Sequence, residues 1–311
     1  VADTVPDCHL INTDDATFLP SGSVHFSSSG YGVLAYRTAQ SILANDVPLA
    51  GNEEDMGTLS IDLRNRGANH TLGVAVYTAA ATIQFAAFIG GVEVAVTGYA
   101  RKSMTNNTTT WSAAAARLKT NAVEIEWDIA DGAAWGLVDE IRGYNGSSGE
   151  EMFRHSLAAP QQIDEDDALY IAVGALDITA AAGAMTDVYV HKFLDLAFGG
   201  VAYPAEASTQ FAYFNGNPAA AGAEVTGTGY VRDTNTSNST TWVTASGGQV
   251  VSGIDFGLGT AGSNWTAANY FALFNAAGTG LMLSAALSPA RSVLTGETET
   301  IQAGRIRVQL L

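Results

Sequence analysis

The sequence predicts an all-β protein in which an antiparallel β-sandwich or jelly-roll module occurs twice in tandem, after a mainly β N-terminal region. One segment recurs with more than half of its positions identical, which indicates an internal duplication. Short runs of alternating or β-branched residues fill both copies, and turns rich in glycine, asparagine and serine separate them. Short strands at such spacing are typical of sandwiches and jelly rolls.

The duplication is clearest where residues 93–111 align without a gap to residues 224–242, with 11 of 19 positions identical. Both segments contain Thr-Gly-Tyr-x-Arg and end in an asparagine, three hydroxyl residues and a tryptophan. Further matches follow at an offset of 130 residues, for example Trp135 with Trp265. These matches divide the chain into an N-terminal anchoring region at 1–78, a first copy at 79–182, a connector at 183–207 and a second copy at 208–311.

Outside the copies the local patterns are short. Apolar residues between Tyr36 and Ala44 recur at helical spacing, which predicts a short helix. Leu59–Leu63 and Leu72–Tyr77 flank a polar turn, which predicts a β-hairpin. In the connector, Asp187–His191 is strand-like and predicts a β-strand.

Within the copies, the β-branched runs Thr108–Trp111 and Ser239–Trp242 predict strands that end in a large aromatic residue. Asn145–Gly149 and Asn275–Gly280 occupy equivalent places and predict hairpin turns. The chain end, residues 300–310, alternates apolar and polar residues around a glycine. This pattern predicts one half-buried strand that can accommodate a bulge.

Composition excludes several classes of partner. The formal net charge is −17 and the chain has only three lysines, so the clustered Lys and Arg that bind nucleic-acid phosphates or an anionic membrane are missing. Cys8 is the single cysteine, which excludes an intrachain disulfide and a cysteine-rich zinc site and favours assembly in the cytosol. The sequence contains no run of 18 apolar residues, so it predicts no membrane span.

Signatures of catalysis are also missing from the sequence. The five histidines are scattered without metal-ligand spacing, and neither a Gly-x-Ser-x-Gly elbow nor a phosphate-binding glycine loop occurs. Glu124 and Glu126 lie on one strand face and could act as an acid–base pair on glycans, but a solvated strand face is the favoured interpretation. We therefore expect no enzymatic activity, no catalytic residues and no cofactor.

Two acidic runs, Glu53–Asp55 and Asp164–Asp167, are dense enough in carboxylates to be considered for Ca²⁺. Neither follows an EF-hand pattern, and the second copy has Leu294–Glu297 where the first has Asp164–Asp167. An exposed charged turn is therefore the favoured interpretation, and no metal site is predicted.

Aromatic and arginine residues that recur in both copies form the strongest candidate motif. A tyrosine and an arginine two residues apart on a strand share a face, so ring and guanidinium could stack as a sugar or subunit contact. The favoured interpretation is a structural contact at the same corner of each module, with the tryptophans in the core. The repeated residues are Tyr99, Arg101, Trp111, Trp135, Tyr230, Arg232, Trp242 and Trp265.

Several of these residues belong to a wider pattern. Thr228–Arg232, the later Trp242 and the ending from Phe274 to Val308 resemble a family of small tailed-phage virion proteins, usually labelled tail-fibre proteins. Its pattern places Tyr-x-Arg before a polar stretch and a Trp, then a glycine-rich hairpin, a turn that is Leu287–Pro289 here, and a final strand with a glycine. The resemblance covers the second copy, extends to the first through the repeat, and implies a place in the virion without separating tail fibres from capsid decoration proteins.

The sequence thus predicts an exterior structural protein of a tailed bacteriophage, assembled in the host cytoplasm. A capsid decoration (cement) role is favoured, because two near-equal modules suit a compact clamp on the head lattice. A tail-fibre or tail-tip component that can bind host glycans is the nearest alternative, and a secreted pair of glycan-binding modules is the third. Expected partners are the major capsid protein or tail proteins and further copies of the chain, a homotrimer first. The two copies are expected to share a core but contact different neighbours.

Overall fold

The computed structural model describes residues 57–181 and 183–309, of which 41% are in strands and 10% in helices. The chain is therefore mostly β, as predicted. The helix predicted between Tyr36 and Ala44 lies outside the described residues. No helix in the described part of the chain is long and apolar enough to cross a membrane.

The first module comprises residues 57–181 and has one helix. Its elements are β1 (Gly57–Leu59), α1 (Ile61–Thr71), β2 (Thr82–Ile89), β3 (Val92–Glu93), β4 (Lys102–Thr105), β5 (Leu118–Thr120), β6 (Ile125–Glu126), β7 (Gly136–Asn145), β8 (Glu151–Ile163), β9 (Tyr170–Ile171) and β10 (Asp177–Thr179).

The second module comprises residues 183–309, and its first element is a helix. Its elements are α2 (Asp187–Ala197), β11 (Ser208–Phe214), a 3₁₀ turn (Pro218–Ala220), β12 (Asp233–Thr236), β13 (Trp242–Ser246), β14 (Gln249–Ser252), β15 (Phe256–Thr260), β16 (Ala268–Phe274), β17 (Leu281–Arg291), β18 (Thr298–Ile301) and β19 (Arg307–Gln309).

The two modules have equivalent strand pairings. In the first, β2 pairs with β4 and β7, and β7 pairs with β8; in the second, β11 pairs with β12 and β16, and β16 with β17. The smaller pairs β5–β10 and β6–β9 correspond to β14–β19 and β15–β18. One difference is β1, which joins β8 to β10 and forms a parallel pair with β10, whereas the second module has an isolated bridge from Met185 to Leu283 at the equivalent place.

The predicted hairpin Leu59–Leu63/Leu72–Tyr77 is wrong, because residues 61–71 form α1. The Ser60 hydroxyl accepts the Leu63 N–H at 3.2 Å and donates to the Glu151 carbonyl at 2.6 Å, so it caps the helix and ties it to β8. A serine before an acidic first turn is the signal that outweighs the apolar alternation here.

The predicted strand Asp187–His191 is also wrong, since these residues open α2. Thr186 precedes the helix as Ser60 precedes α1, and its hydroxyl donates to the Leu281 carbonyl at 2.9 Å. Tyr189, Val190, Phe193 and Leu194 are buried, at helical spacing. That spacing appears only when the pattern is followed beyond His191, because five residues are too few to distinguish a helix from a strand.

Two further strand predictions need correction. Thr108–Thr110 and Thr240–Thr241 form turns rather than strands, because the side chains of Asn107 and Asn238 accept the N–H groups two and three residues on. The predicted final strand is interrupted at Gly304, whose φ of +81° makes a turn between β18 and β19. The predicted hairpin turns after Asn145 and Asn275 are present.

Each module encloses an aromatic core. In the first, the Phe85 ring of β2 lies against Trp111, Trp127 and Phe153, with ring centroids 6.1 to 6.5 Å apart. In the second, Phe211, Phe256 and Trp242 make the corresponding chain of contacts. These rings join the large sheet to the smaller strand pairs, which gives each module its layered, sandwich-like packing.

Candidate functional site

The repeated tyrosine and arginine form the same contacts in both modules. Arg101 makes two hydrogen bonds of 2.7 Å to Glu93, and Arg232 makes bonds of 2.9 and 2.7 Å to Glu224. The hydroxyl of Tyr99 accepts the Ala87 N–H at 2.9 Å. In the second module Tyr230 accepts the Tyr213 N–H at 2.9 Å. The cluster thereby ties the loop before β4, or β12, to the first long strand.

The tyrosine ring packs on the repeated tryptophan rather than on the arginine. Tyr99 meets Trp135 edge-on at 5.1 Å, and Tyr230 meets Trp265 in the same way at 5.2 Å. Stacking of the tyrosine ring on the arginine, which the sequence allowed, does not occur, because residues 94–101 form a loop and not a strand. The loop turns at Gly98, where φ is +84° and a Cβ would overlap the carbonyl oxygen of Asp131.

The arginines stack on other rings instead. The Arg101 guanidinium lies 4.0 Å from the centroid of Tyr144, and the Arg232 guanidinium lies 4.3 Å from that of Phe274. The hydrogen-bonded carboxylate of Glu93 raises the pKa of Arg101, while burial raises the pKa of Tyr99 to about 12. The arginine is charged and the tyrosine neutral at physiological pH, so neither is poised for proton transfer.

The remaining repeated tryptophans lie in the core. Trp111 is 2% exposed and Trp242 is fully buried. Trp111 contacts Phe153 as well as Phe85, and Trp242 contacts Phe256. Trp111 also contacts Phe198 of the second module, with ring centroids 5.3 Å apart. The repeated tryptophans therefore serve packing inside the protein.

We expect Arg232→Lys to lower the free energy of unfolding by about 1 kcal/mol, because lysine loses both the bidentate carboxylate contact and the stacking on Phe274. The value is modest because the Arg232 and Glu224 side chains are about a quarter exposed, so solvent screens the attraction between them. Chemical denaturation measures the change. Arg154→Lys is the control, because its pair with Glu151 is more than half exposed on the arginine side and should change nothing measurable.

The acidic candidates do not form a metal site in the described residues. Asp164–Asp167 makes an exposed turn in which the Asp164 N–H donates to the Asp167 carboxylate at 3.3 Å. No group of three or more histidine, cysteine, aspartate or glutamate side chains in the described part of the chain is placed to hold a metal ion. Glu124 and Glu126 are both exposed, and Glu53–Asp55 lies outside the described residues.

A second set of polar residues joins the two modules to each other. Helix α1, which follows β1 of the first module, packs on the β13–β14 hairpin of the second. The side chains of Asn65 and Asn69 accept the N–H groups of Gly248 and Ala245 at 2.7 and 2.8 Å. These bonds cap the backbone of the hairpin with side chains from the other module.

Helix α2 makes the reciprocal contact on the first module. His191 Nε2 accepts the Arg117 N–H at 2.9 Å, and Asp195 Oδ1 accepts the Ala114 N–H at 2.8 Å. His191 and Asp195 follow Asn65 and Asn69 by 126 residues, and the donors precede their counterparts by 131. Equivalent residues therefore make equivalent bonds in both directions, which is the pattern of an isologous dimer built within one chain.

The sequence comparison of the two copies missed this interface because the helices align only weakly. At an offset of 126 residues, Gly57, Ser60, Gly73 and Tyr77 meet Gly183, Thr186, Gly199 and Tyr203. These matches lie outside the span of strong identity, and the interface residues themselves differ between the copies. A search for the hydroxyl cap and the glycine after each helix could have found them.

An open cavity of about 770 Å³ lies beside this interface, between the segments that follow α1 and α2. His70 lines it and is 2% exposed. Its Nδ1 accepts the Tyr77 N–H at 3.0 Å, and its Nε2 lies 2.6 Å from the Tyr203 carbonyl, to which it donates. Both ring nitrogens are satisfied only when the imidazole is neutral, since Nδ1 must remain an acceptor.

Stability should therefore fall as pH drops below about 6.5. Burial lowers the pKa of His70 in the folded protein, and burial likewise lowers that of His155. The unfolded chain binds these protons near pH 6.5 while the folded chain does not, so unfolding becomes more favourable from pH 6.5 down to the folded-state pKa. Denaturation at pH 7 and pH 5 should show a smaller loss for His70→Gln than for the unmodified chain. An equal loss in both proteins would contradict this role of His70.

The two structural modules coincide with two matches to one protein family. The sequence model of the family described as podophage GP4 fiber I protein gp80 matches residues 58–179 and again residues 184–309, so each match includes the helix of its module. Comparison with curated proteins finds no match. Because the family matches cover well over half of the sequence, the chain belongs to this podophage fibre-protein family and is a tailed-phage virion component with an internal repeat.

Proposed function

We propose that this chain is a non-enzymatic structural subunit of a podophage fibre, exposed on the outside of the particle and assembled in the host cytoplasm. The observation that carries the proposal is the fibre-protein family match over both modules. Capsid decoration, which the sequence alone favoured, becomes the second candidate, because the family description names a fibre and no feature of the described residues favours the head.

The arrangement of polar groups supports a structural role. The repeated arginine–glutamate pairs are satisfied within each module, and the asparagine, histidine and aspartate side chains of the helices hold the modules together. Because each module binds the other through its helix, the two modules resist separation. This suits a subunit that transmits force or binds neighbouring subunits. No bound cofactor is needed for that role.

Binding partners in the proposal are other virion proteins, first tail proteins, and further copies of the chain, with a homotrimer as the first expectation. The exposed apolar residues support different contacts for the two modules. The first module exposes Leu137 and Tyr170, where the second has Ala267 and Thr300. The second exposes Val231, Val243 and Leu294, where the first has Ala100, Ser112 and Asp164.

Electron microscopy of purified particles labelled with an antibody against residues 57–309 tests the location. Label on fibres or the tail supports the proposal. Label distributed over the head would overturn it in favour of decoration, and particles without label would exclude a virion role for this chain.

We expect Leu137→Asp to reduce incorporation into particles by at least about tenfold if this face contacts a neighbour, because a charge buried in an apolar contact is not compensated. Ala267→Asp at the equivalent place in the second module is the matched control and should be incorporated normally. Incorporation is measured by quantitative mass spectrometry of purified particles. Equal losses for both variants would indicate that the modules share one kind of contact.

A further inference from the structure

The two reciprocal helix contacts are equivalent in geometry, but one contains charged side chains where the other has neutral ones. Below α2, the Lys119 ammonium donates to Asp195 at 2.6 Å, and its side chain is 2% exposed. At the equivalent positions below α1 stand Val250 and Asn69, which are neutral. One contact therefore contains an ion pair whose lysine is buried and whose aspartate is 25% exposed, whereas the other has an amide and an aliphatic residue at the same positions.

A second position, at the rim of the same contacts, is also charged in one contact and neutral in the other. Arg117 Nε donates to Asp187 at 2.7 Å, next to the start of α2. Its counterpart is Gly248, where a Cβ would lie 3.5 Å from Ile61, the residue equivalent to Asp187. Both cations thus lie in the first module, Arg117 directly before β5 and Lys119 within it, and both carboxylates lie on α2 of the second module.

The helices also meet at one pair of equivalent residues. Gly67 of α1 and Phe193 of α2 are 126 residues apart, and a Cβ on Gly67 would lie 2.7 Å from the Phe193 ring. In an isologous contact, residues that meet their own equivalents lie on the symmetry axis. Two phenylalanines there would clash, and two glycines would leave a void.

We propose that these residues restrict module pairing to a first module with a second module, and exclude pairing between identical modules of two chains. Joining two first modules would place two buried Lys119 ammonium groups opposite Asn69. Joining two second modules would place Asp195 opposite Val250, with Phe193 against Phe193. Each identical pairing leaves charges of one sign without partners, and the cost is greatest for Lys119, because its side chain is only 2% exposed.

This pairing rule goes beyond the proposed function in the fibre. The helix-docking surfaces are used up inside each chain, so contacts between chains must be made by other surfaces. Duplication of a module that paired with itself, followed by divergence of the docking residues, would convert a symmetric dimer into one chain with two distinct ends.

A chain cut between the modules tests the pairing directly. A protease site is inserted between residues 182 and 183 of the full chain, the folded protein is cleaved, and the fragments are denatured and refolded together. Native mass spectrometry then counts first–second, first–first and second–second pairs, which differ in mass. We expect the ratio of first–second pairs to identical pairs to be at least about ten times the ratio in a random mixture.

Two variants of opposite chemistry should weaken the preference against first–first pairs, because each removes the unpaired charge of Lys119 while the void at Gly67 stays. Lys119→Val with Asp195→Asn makes this pair of positions neutral in both contacts, and Asn69→Asp with Val250→Lys makes it an ion pair in both. Neither leaves an unpaired charge in the first–second pair. Glu140→Gln with Arg142→Gln is the control, because that ion pair lies on β7 of the first module, where Arg142 bonds to Glu140 and not to either helix.

First–first pairs that rise with both docking variants, and not with the control, support the proposal. A random mixture from the unmodified fragments, or first–first pairs that stay equally rare in both docking variants, would overturn it. If denatured fragments do not recover their fold, the same fragments are co-expressed in one cell and their pairs counted in the same way, with the same two outcomes. The particle experiments above are independent of this result.

Discussion

Asp195→Asn should lower the free energy of unfolding by about 3 kcal/mol. The substitution keeps the size of the side chain and an oxygen for the Ala114 N–H, but leaves the Lys119 ammonium without a carboxylate. Lys119 cannot turn to solvent without breaking the packing, since its side chain is only 2% exposed. Removing one partner of a buried ion pair costs more than the pair itself contributes, because the remaining charge stays desolvated.

Adding Lys119→Val to Asp195→Asn should recover most of that loss. The double variant places at this contact the same neutral residue types, valine and asparagine, that the equivalent positions Val250 and Asn69 already have. Urea or guanidinium unfolding of the two variants measures the coupling. Asn69→Ala serves as the comparison and should cost only about 1 kcal/mol, the value of one neutral hydrogen bond. Additive losses from Lys119→Val and Asp195→Asn would show that the two side chains act independently.

The β-rich duplication could be predicted because its residues are held by local geometry and core packing. Gly98 and Gly229 recur because both turns require positive φ, and Trp111 and Trp242 recur because both fill the core. Such positions tolerate few alternatives in any copy of the module. These residues are therefore identical in the two copies, whatever each module contacts, and the duplication can be recognised from them.

The comparison of the two copies missed the helices and the interface for the opposite reason. Asn69 and Asp195 both accept a backbone N–H of the other module, but the residue each faces differs, so selection favoured different side chains at one structural position. Gly67 and Phe193 differ because they fit each other. Residues that complement one another across an interface diverge as pairs, so identity within a single sequence underestimates the sites that join the modules.

The same kind of compensation occurs inside the core and gives the second large expected effect. Gly143 of β7 faces Phe153 of β8, and in the second module Leu273 faces Leu283 at the equivalent place. A Cβ on Gly143 would overlap the Phe153 ring. That ring is fully buried, so it has no exposed side toward which to turn. The first module therefore pairs a large phenylalanine with a glycine, which has no side chain. The second module pairs two leucines of intermediate size at the same place.

Gly143→Leu should therefore destabilise the protein by about 3 kcal/mol, the upper end for overpacking, despite the gain from removing a flexible glycine. Combining it with Phe153→Leu should recover much of the loss, because the second module already packs a leucine pair between the same strands. Thermal and chemical unfolding measure both variants. Gly257→Ala is the control, because a Cβ added there would meet no atom within 4 Å and the change should stay within about 0.5 kcal/mol. If Phe153→Leu does not improve Gly143→Leu, the rings that touch Phe153, and not the cross-strand pair, set the volume of this part of the core.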